Sequence, residues 1–187
     1  MMIKHFIAAV ALLAPAAVAA QVVEPSQGRL EILGTSRPAC VLGAATSTAG
    51  NNMTFQPLSN VSGQVRITEM VDSNLVSRGG SIEVILPVIC NSAHRIRVHS
   101  DNGGLRRVGA PGRPGPFAEL VPYRVNTTWG AQQAGFTTDG SGGTLIINAA
   151  EARAGQVGLS IAVARGGRPL ATGLYSDQIV VELQAAN

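Results

Sequence analysis

The chain has 187 residues, 45% hydrophobic and 13% charged, with 22 Gly, 10 Pro and only 4% aromatic residues. So large an apolar share beside a formal charge of +3 excludes charge-driven disorder, and the length fits one domain with a core of useful size. Lys4 is the sole lysine and falls in an N-terminal segment set aside below; the remainder holds 13 Arg against 11 Asp and Glu, and a net +2 is no electrostatic footprint for nucleic acid.

Lys4 and His5 precede an apolar run from Phe6 to Val18, and Val18-Ala19-Ala20 offers small residues before Gln21. This order predicts a secretory signal peptide over residues 1–20, because the run falls short of the roughly 18 apolar residues a membrane-spanning helix needs. No later apolar stretch is that long, so the mature chain is expected to be exported and not inserted in a membrane. Residues 21–29 read as a loose polar extension, and Leu30 and Ile32 share one strand face at the start of a domain over residues 30–187.

Export places Cys40 and Cys90, the only cysteines, in an oxidising compartment, where a disulfide is the expected state and a pair of buried free thiols the alternative. Such a bridge would restrict the unfolded chain by about 4 kcal/mol in the entropy model. The mature chain offers only His94 and His99 beside the cysteines, with no C-x-x-C or H-E-x-x-H spacing, so neither a metal site nor a cofactor is expected.

Along the chain, apolar residues recur with period two. Val65 and Ile67 form one such set, followed by Ile82, Val84, Leu86 and Val88, and by Ile96 and Val98 against outward Arg95, Arg97 and His99. Val121, Tyr123 and Val125 follow, then Leu145 and Ile147, then Val157, Leu159, Ile161 and Val163, and finally Ile179, Val181 and Leu183. Each is the pattern of a strand with one buried face. Val180 interrupts the polar face of the last set and suggests a strand covered on both sides. Gly79-Gly80, Asn102-Gly103-Gly104, Gly109 to Pro116, Gly140 to Gly143 and Gly166-Gly167 punctuate the runs as turns. Only Asn148 to Ala154 looks helical. The pattern predicts an all-β, antiparallel β-sandwich of one domain.

Several residue groups resemble chemical sites. Gly158-Leu-Ser160-Ile-Ala162 approximates a nucleophile elbow, but Ser160 stands inside an alternating strand, a turn follows, and no histidine comes after it. A hydrolase is therefore not expected. His94 and His99 lie an odd number apart, which on one strand puts them on opposite faces, and they read as surface histidines. Arg106, Arg107 and Arg113 occupy a Gly/Pro-rich loop without interleaved aromatics and read as solvated. Trp129 and Tyr123 could stack on a sugar, although core or rim positions are more usual for such side chains. Asp177 reads as a residue of strand entry.

The coincidence of Cys40 about twenty residues beyond the signal, Cys90 closing a strand before Asn91-Ser92-Ala93, Leu120-Val-Pro-Tyr123 with Trp129-Gly130 downstream, and Gly173-Leu-Tyr175-Ser-Asp177 before the last strand resembles the spore coat U domain family. These are secreted, pilin-like subunits of archaic chaperone–usher pili. The resemblance spans roughly Leu30 to Leu183; the family's Phe-Gly pair after the first cysteine is missing, since Gln56-Pro57 follows Phe55. It implies an incomplete immunoglobulin-like sandwich lacking its final strand, whose hydrophobic groove is filled first by a periplasmic chaperone and then, at an outer-membrane usher, by the N-terminal extension of a neighbouring subunit.

Ile179, Val181 and Leu183 would flank that acceptor groove; Val22, Leu30 and Ile32 are the candidate donor residues, unless Leu30 to Thr35 is the subunit's own first strand. The expected function is a non-enzymatic surface pilus subunit supporting adhesion or biofilm formation. The alternative is a self-contained secreted β-sandwich that binds a carbohydrate or protein ligand.

Overall fold

The computed structural model describes residues 31–110 and 115–186. The chain divides into two units, Met1–Thr35 and Ser36–Asn187. Of the first unit, residues 31–35 belong to no strand, and Ile32 is 87% exposed. The strand face expected at Leu30 and Ile32 is thus not found at Ile32, because a strand exists only where a neighbouring strand accepts its ladder. Val22 and Leu30 lie outside the described residues.

All fourteen strands of the described residues fall in the second unit. They are β1 (Cys40–Leu42), β2 (Thr46–Ser47), β3 (Met53–Ser59), β4 (Ser62–Ile67), β5 (Gly80–Cys90), β6 (His94–Ser100), β7 (Leu105–Arg107), β8 (Leu120–Val121), β9 (Tyr123–Trp129), β10 (Gln132–Thr137), β11 (Gly143–Ala149), β12 (Arg153–Val163), β13 (Tyr175–Ser176) and β14 (Ile179–Ala185). The main sheet runs β1-β5-β12-β9-β10, with β2 also paired to β5, and a second sheet runs β11-β6-β14. A small sheet, β13-β7-β8, and the β3-β4 hairpin complete the fold, and every strand ladder is antiparallel.

Alternation decides which side chains meet. Ile82, Val84, Leu86 and Val88 of β5, Val157 to Val163 at every second residue of β12, and Tyr123, Val125 and Trp129 of β9 face one way. Ile96 and Val98 of β6 and Leu145 and Ile147 of β11 face them from the second sheet, and all join one apolar core. The fold is all-β, two antiparallel sheets sharing that core, as the period-two pattern predicts.

One expectation fails. No helix forms at Asn148 to Ala154: Asn148 and Ala149 end β11 against Arg95 and His94, and Arg153 opens β12 opposite Cys90. Seven residues, although four are alanine, are too few to nucleate a helix against two ladders. Gln132–Thr137, whose sole alternation is Ala134 with Phe136, pairs with β9 at every position and turns both side chains toward the core.

Candidate functional site: an open sheet edge and its polar clasps

β14 pairs with β6 from Ile179 opposite Ser100 to Ala185 opposite His94. Among the described residues its other edge has no partner. The consequence is visible row by row across the second sheet. Val98 is fully buried between Leu145 (5% exposed) and Val181, and Ile96 between Ile147 (3%) and Leu183, whereas Val181 and Leu183, like Ile179, stay partly exposed. A side chain on the inner face of a sheet is sealed by neighbours on both sides: β11, the sheet's other edge, runs beside β10, whereas Ile179, Val181 and Leu183 have a full-length neighbour in β6 alone. Their inward faces still pack on the core. The structure therefore brings Ile179, Val181 and Leu183 together at one unpaired edge. Beside this edge lies β1, with Cys40 and Leu42 partly buried against the same core. Val180 is half-buried on the outer face, opposite His99.

The start of β14 is held by a carboxylate. Oδ2 of Asp177 accepts hydrogen bonds from the Ser100 hydroxyl at 2.6 Å, the Tyr123 hydroxyl at 2.7 Å and the Gly104 amide at 2.9 Å. Oδ1 accepts from the amides of Asn102 at 2.9 Å and Gln178 at 2.7 Å. One side chain thus ties the end of β6, the loop beyond it, the beginning of β9 in the facing sheet and β14 itself. The loop passes close enough for this only with glycine: at Gly103 φ is +68°, and a Cβ would sit 2.5 Å from the Gly142 nitrogen. Burial, above all, raises the Tyr123 hydroxyl well beyond the usual phenol range; the Asp177 carboxylate adds to this, and Ser100 opposes it. Tyr175, whose hydroxyl donates to the Ala118 and Ala171 carbonyls, is raised too, chiefly by burial.

A second clasp closes the other end of β9. Trp129 is fully buried, and its indole N–H donates to Nε2 of His94 at 3.0 Å, while Nδ1 of His94 lies 2.9 Å from the Ser92 carbonyl. With Nε2 accepting, the proton of the neutral ring belongs on Nδ1, which donates to Ser92. The rings meet edge to face at 5.6 Å, and the Arg153 guanidinium lies 5.5 Å over the indole. The expectation of surface histidines is therefore wrong for His94, which is 3% exposed. Parity still holds, since His99 points to the outer face and sits 3.3 Å from Asp101. What the sequence could not supply is that the inward face at position 94 ends beside an indole needing an acceptor.

The burial of Trp129 and Tyr123 removes them as sugar-stacking residues. Cys40 and Cys90 are joined by a disulfide at directly opposed positions of β1 and β5, the pairing expected from export. Ser160 sits mid-way in β12, paired on both sides, so the strand–turn–helix geometry of a nucleophile elbow is absent there. Arg106 and Arg107 belong to β7 and not to a loop; Arg107 pairs with Glu119, while Arg106 stays exposed and donates to the Asn102 and Gly140 carbonyls. Arg113 lies outside the described residues. Asp177 holds the entry to β14 as its position before that strand suggests. No model of a known protein family matches the chain, and no curated protein matches it.

Proposed function

We propose that this chain is a secreted pilus subunit of the spore coat U type, an incomplete immunoglobulin-like sandwich that polymerises by accepting a strand along β14. The observation that carries the reading is the asymmetry of the second sheet: its apolar rows are sealed at β11 and left partly open at β14. An added strand would satisfy the free backbone groups of β14 and cover Ile179, Val181 and Leu183, with its alternate side chains entering between the sheets. Each Val, Leu or Ile so buried contributes about 1.5–3 kcal/mol. The exposed Ile32 and its place outside any strand support the segment before Ser36 as the donor from a neighbouring copy and not as the subunit's own first strand. Donor and acceptor on opposite parts of one chain make a head-to-tail contact, which propagates as a fibre. A periplasmic chaperone would occupy the same edge before assembly at an outer-membrane usher, and the surface fibre would serve adhesion or biofilm formation.

The test adds a peptide copying residues 21–35 to the chain beginning at Gln21. At a hundredfold excess over Kd the peptide is expected to stabilise the protein by about 2.7 kcal/mol, a rise in Tm of roughly 5–11 °C. The same peptide carrying Leu30→Asp and Ile32→Asp should leave Tm unchanged. Equal behaviour of the two peptides would refute the proposal and favour a self-contained binding module.

A further inference from the structure

We infer that Asp177 is a positioning residue for strand addition, holding β14 in ladder geometry while its outer edge is unfilled. The inference rests on the reading of β14 as the acceptor. A strand with one neighbour loses half its lateral hydrogen bonds, and its ends are the first to open. At the Ala185 end of β14 the Ala186 amide donates to the Ala93 carbonyl at 2.7 Å, continuing the ladder. At the Ile179 end the Asp101 amide donates to the Gln178 carbonyl at 3.0 Å, and beyond that bond Asp177 takes over, accepting from Ser100, the amides of Asn102, Gly104 and Gln178, and Tyr123 across the core.

All five groups donate to it, and the amides of Asn102, Gly104 and Gln178, divided between its two oxygens, can do nothing else, so the position requires a pure acceptor. An ionised carboxylate meets that requirement, while an asparagine would aim its own NH2 at donors whichever way it was turned. The bond to Tyr123 matters most for position, because β9 belongs to the facing sheet: it fixes the height of the β14 entry above the core, and with it the partly exposed edge at Ile179. The residue therefore acts on the incoming strand through β14 without touching it.

The experiment compares the chain beginning at Gln21 with Asp177→Asn, Tyr123→Phe and, as a destabilised control remote from the edge, Met53→Ala on β3, a buried residue laddered only to β4. Amide exchange is read along β14 in the free protein, and affinity is read with the residue 21–35 peptide. In Asp177→Asn the amides of Ile179 to Val181 should exchange about tenfold faster while those near Ala185 change little, and peptide affinity should fall about tenfold, the scale of one lost charge-assisted hydrogen bond. Tyr123→Phe, which removes a single hydroxyl and retains the ring, should move both readings in the same direction by about threefold, and it serves if the first variant does not fold. Met53→Ala should lower Tm yet leave affinity within about twofold, since additivity holds for separated sites that share no partner.

Loss of affinity in proportion to Tm for all three variants would overturn the positioning role, as would unchanged exchange at Ile179 to Val181. If the parent protein binds no peptide, the acceptor reading falls and the positioning role with it. That failure is distinguished from the first by exchange that still responds to Asp177→Asn.

Discussion

Replacing Trp129 by Phe tests whether the clasp between β9 and β6 is a specific hydrogen bond or only ring burial. The indole is fully buried and donates at 3.0 Å to a His94 nitrogen that is itself buried. Phenylalanine keeps much of the apolar contact but leaves Nε2 of His94 without its donor, at a cost of about 1–3 kcal/mol. The missing second ring leaves a small cavity worth about 1 kcal/mol more. The expected loss is therefore about 2–4 kcal/mol, or roughly 4–16 °C in Tm for a domain of this size. The assay is urea unfolding of the parent, Trp129→Phe, His94→Ala and the double variant. Trp129 is the only tryptophan, so its emission also reports on its surroundings in parent and His94→Ala. The double-mutant cycle should return a coupling of about 1–2 kcal/mol, because each single variant strands the polar group that the other would have removed. A coupling under about 0.5 kcal/mol would refute the specific bond and leave ring burial as the whole effect.

Further outcomes follow from the same structure. Cys90→Ser opens a bridge spanning a sequence separation of 50 residues and should lower unfolding free energy by about 4 kcal/mol in the entropy model, checked by urea unfolding with and without reductant. Alkaline stability follows from Tyr123 and Tyr175, both raised in the folded state mainly by burial. Above the unfolded phenol value of roughly 10, the unfolded chain releases these protons and the folded chain retains them, so the stabilisation present below that pH is lost as pH rises through the folded values. Denaturant titrations from pH 8 upward should show this fall, smaller in Tyr123→Phe; a flat profile would contradict it. Gly103→Ala forces a side chain into positive φ and against the Gly142 backbone, so a loss above about 1–2 kcal/mol is expected from thermal unfolding, and a neutral result would mean the loop had relaxed. Ser160→Ala, at an exposed strand position, should change stability by no more than about 0.5 kcal/mol.

Much of the fold can be read from residue order because side-chain direction in a strand has period two and is settled locally. Ile82 to Val88, Ile96 and Val98, Val157 to Val163, and Ile179 to Leu183 declare both their strands and their inward faces without reference to any partner. The same reasoning separates His94 from His99 and places Ser160 in continuing strand. It fails where the deciding contact is remote. Gln132–Thr137 is a strand because β9 offers it a ladder, Asn148 to Ala154 is not a helix because β6 and β5 claim its ends, and His94 is a core residue because Trp129 needs an acceptor there.

The candidate site divides in the same way. Local alternation selected Ile179, Val181 and Leu183 as one apolar face, and the expectation of export made the Cys40–Cys90 bridge the expected state. Only the tertiary structure decided that β14 sits at the edge of a three-stranded layer with one side unpaired among the described residues, and that Tyr123, Ser100 and Asp177 converge there. Which neighbour a strand takes depends on residues far apart in the chain, as with Arg97 beside Glu182. No local pattern encodes which edge is left without one.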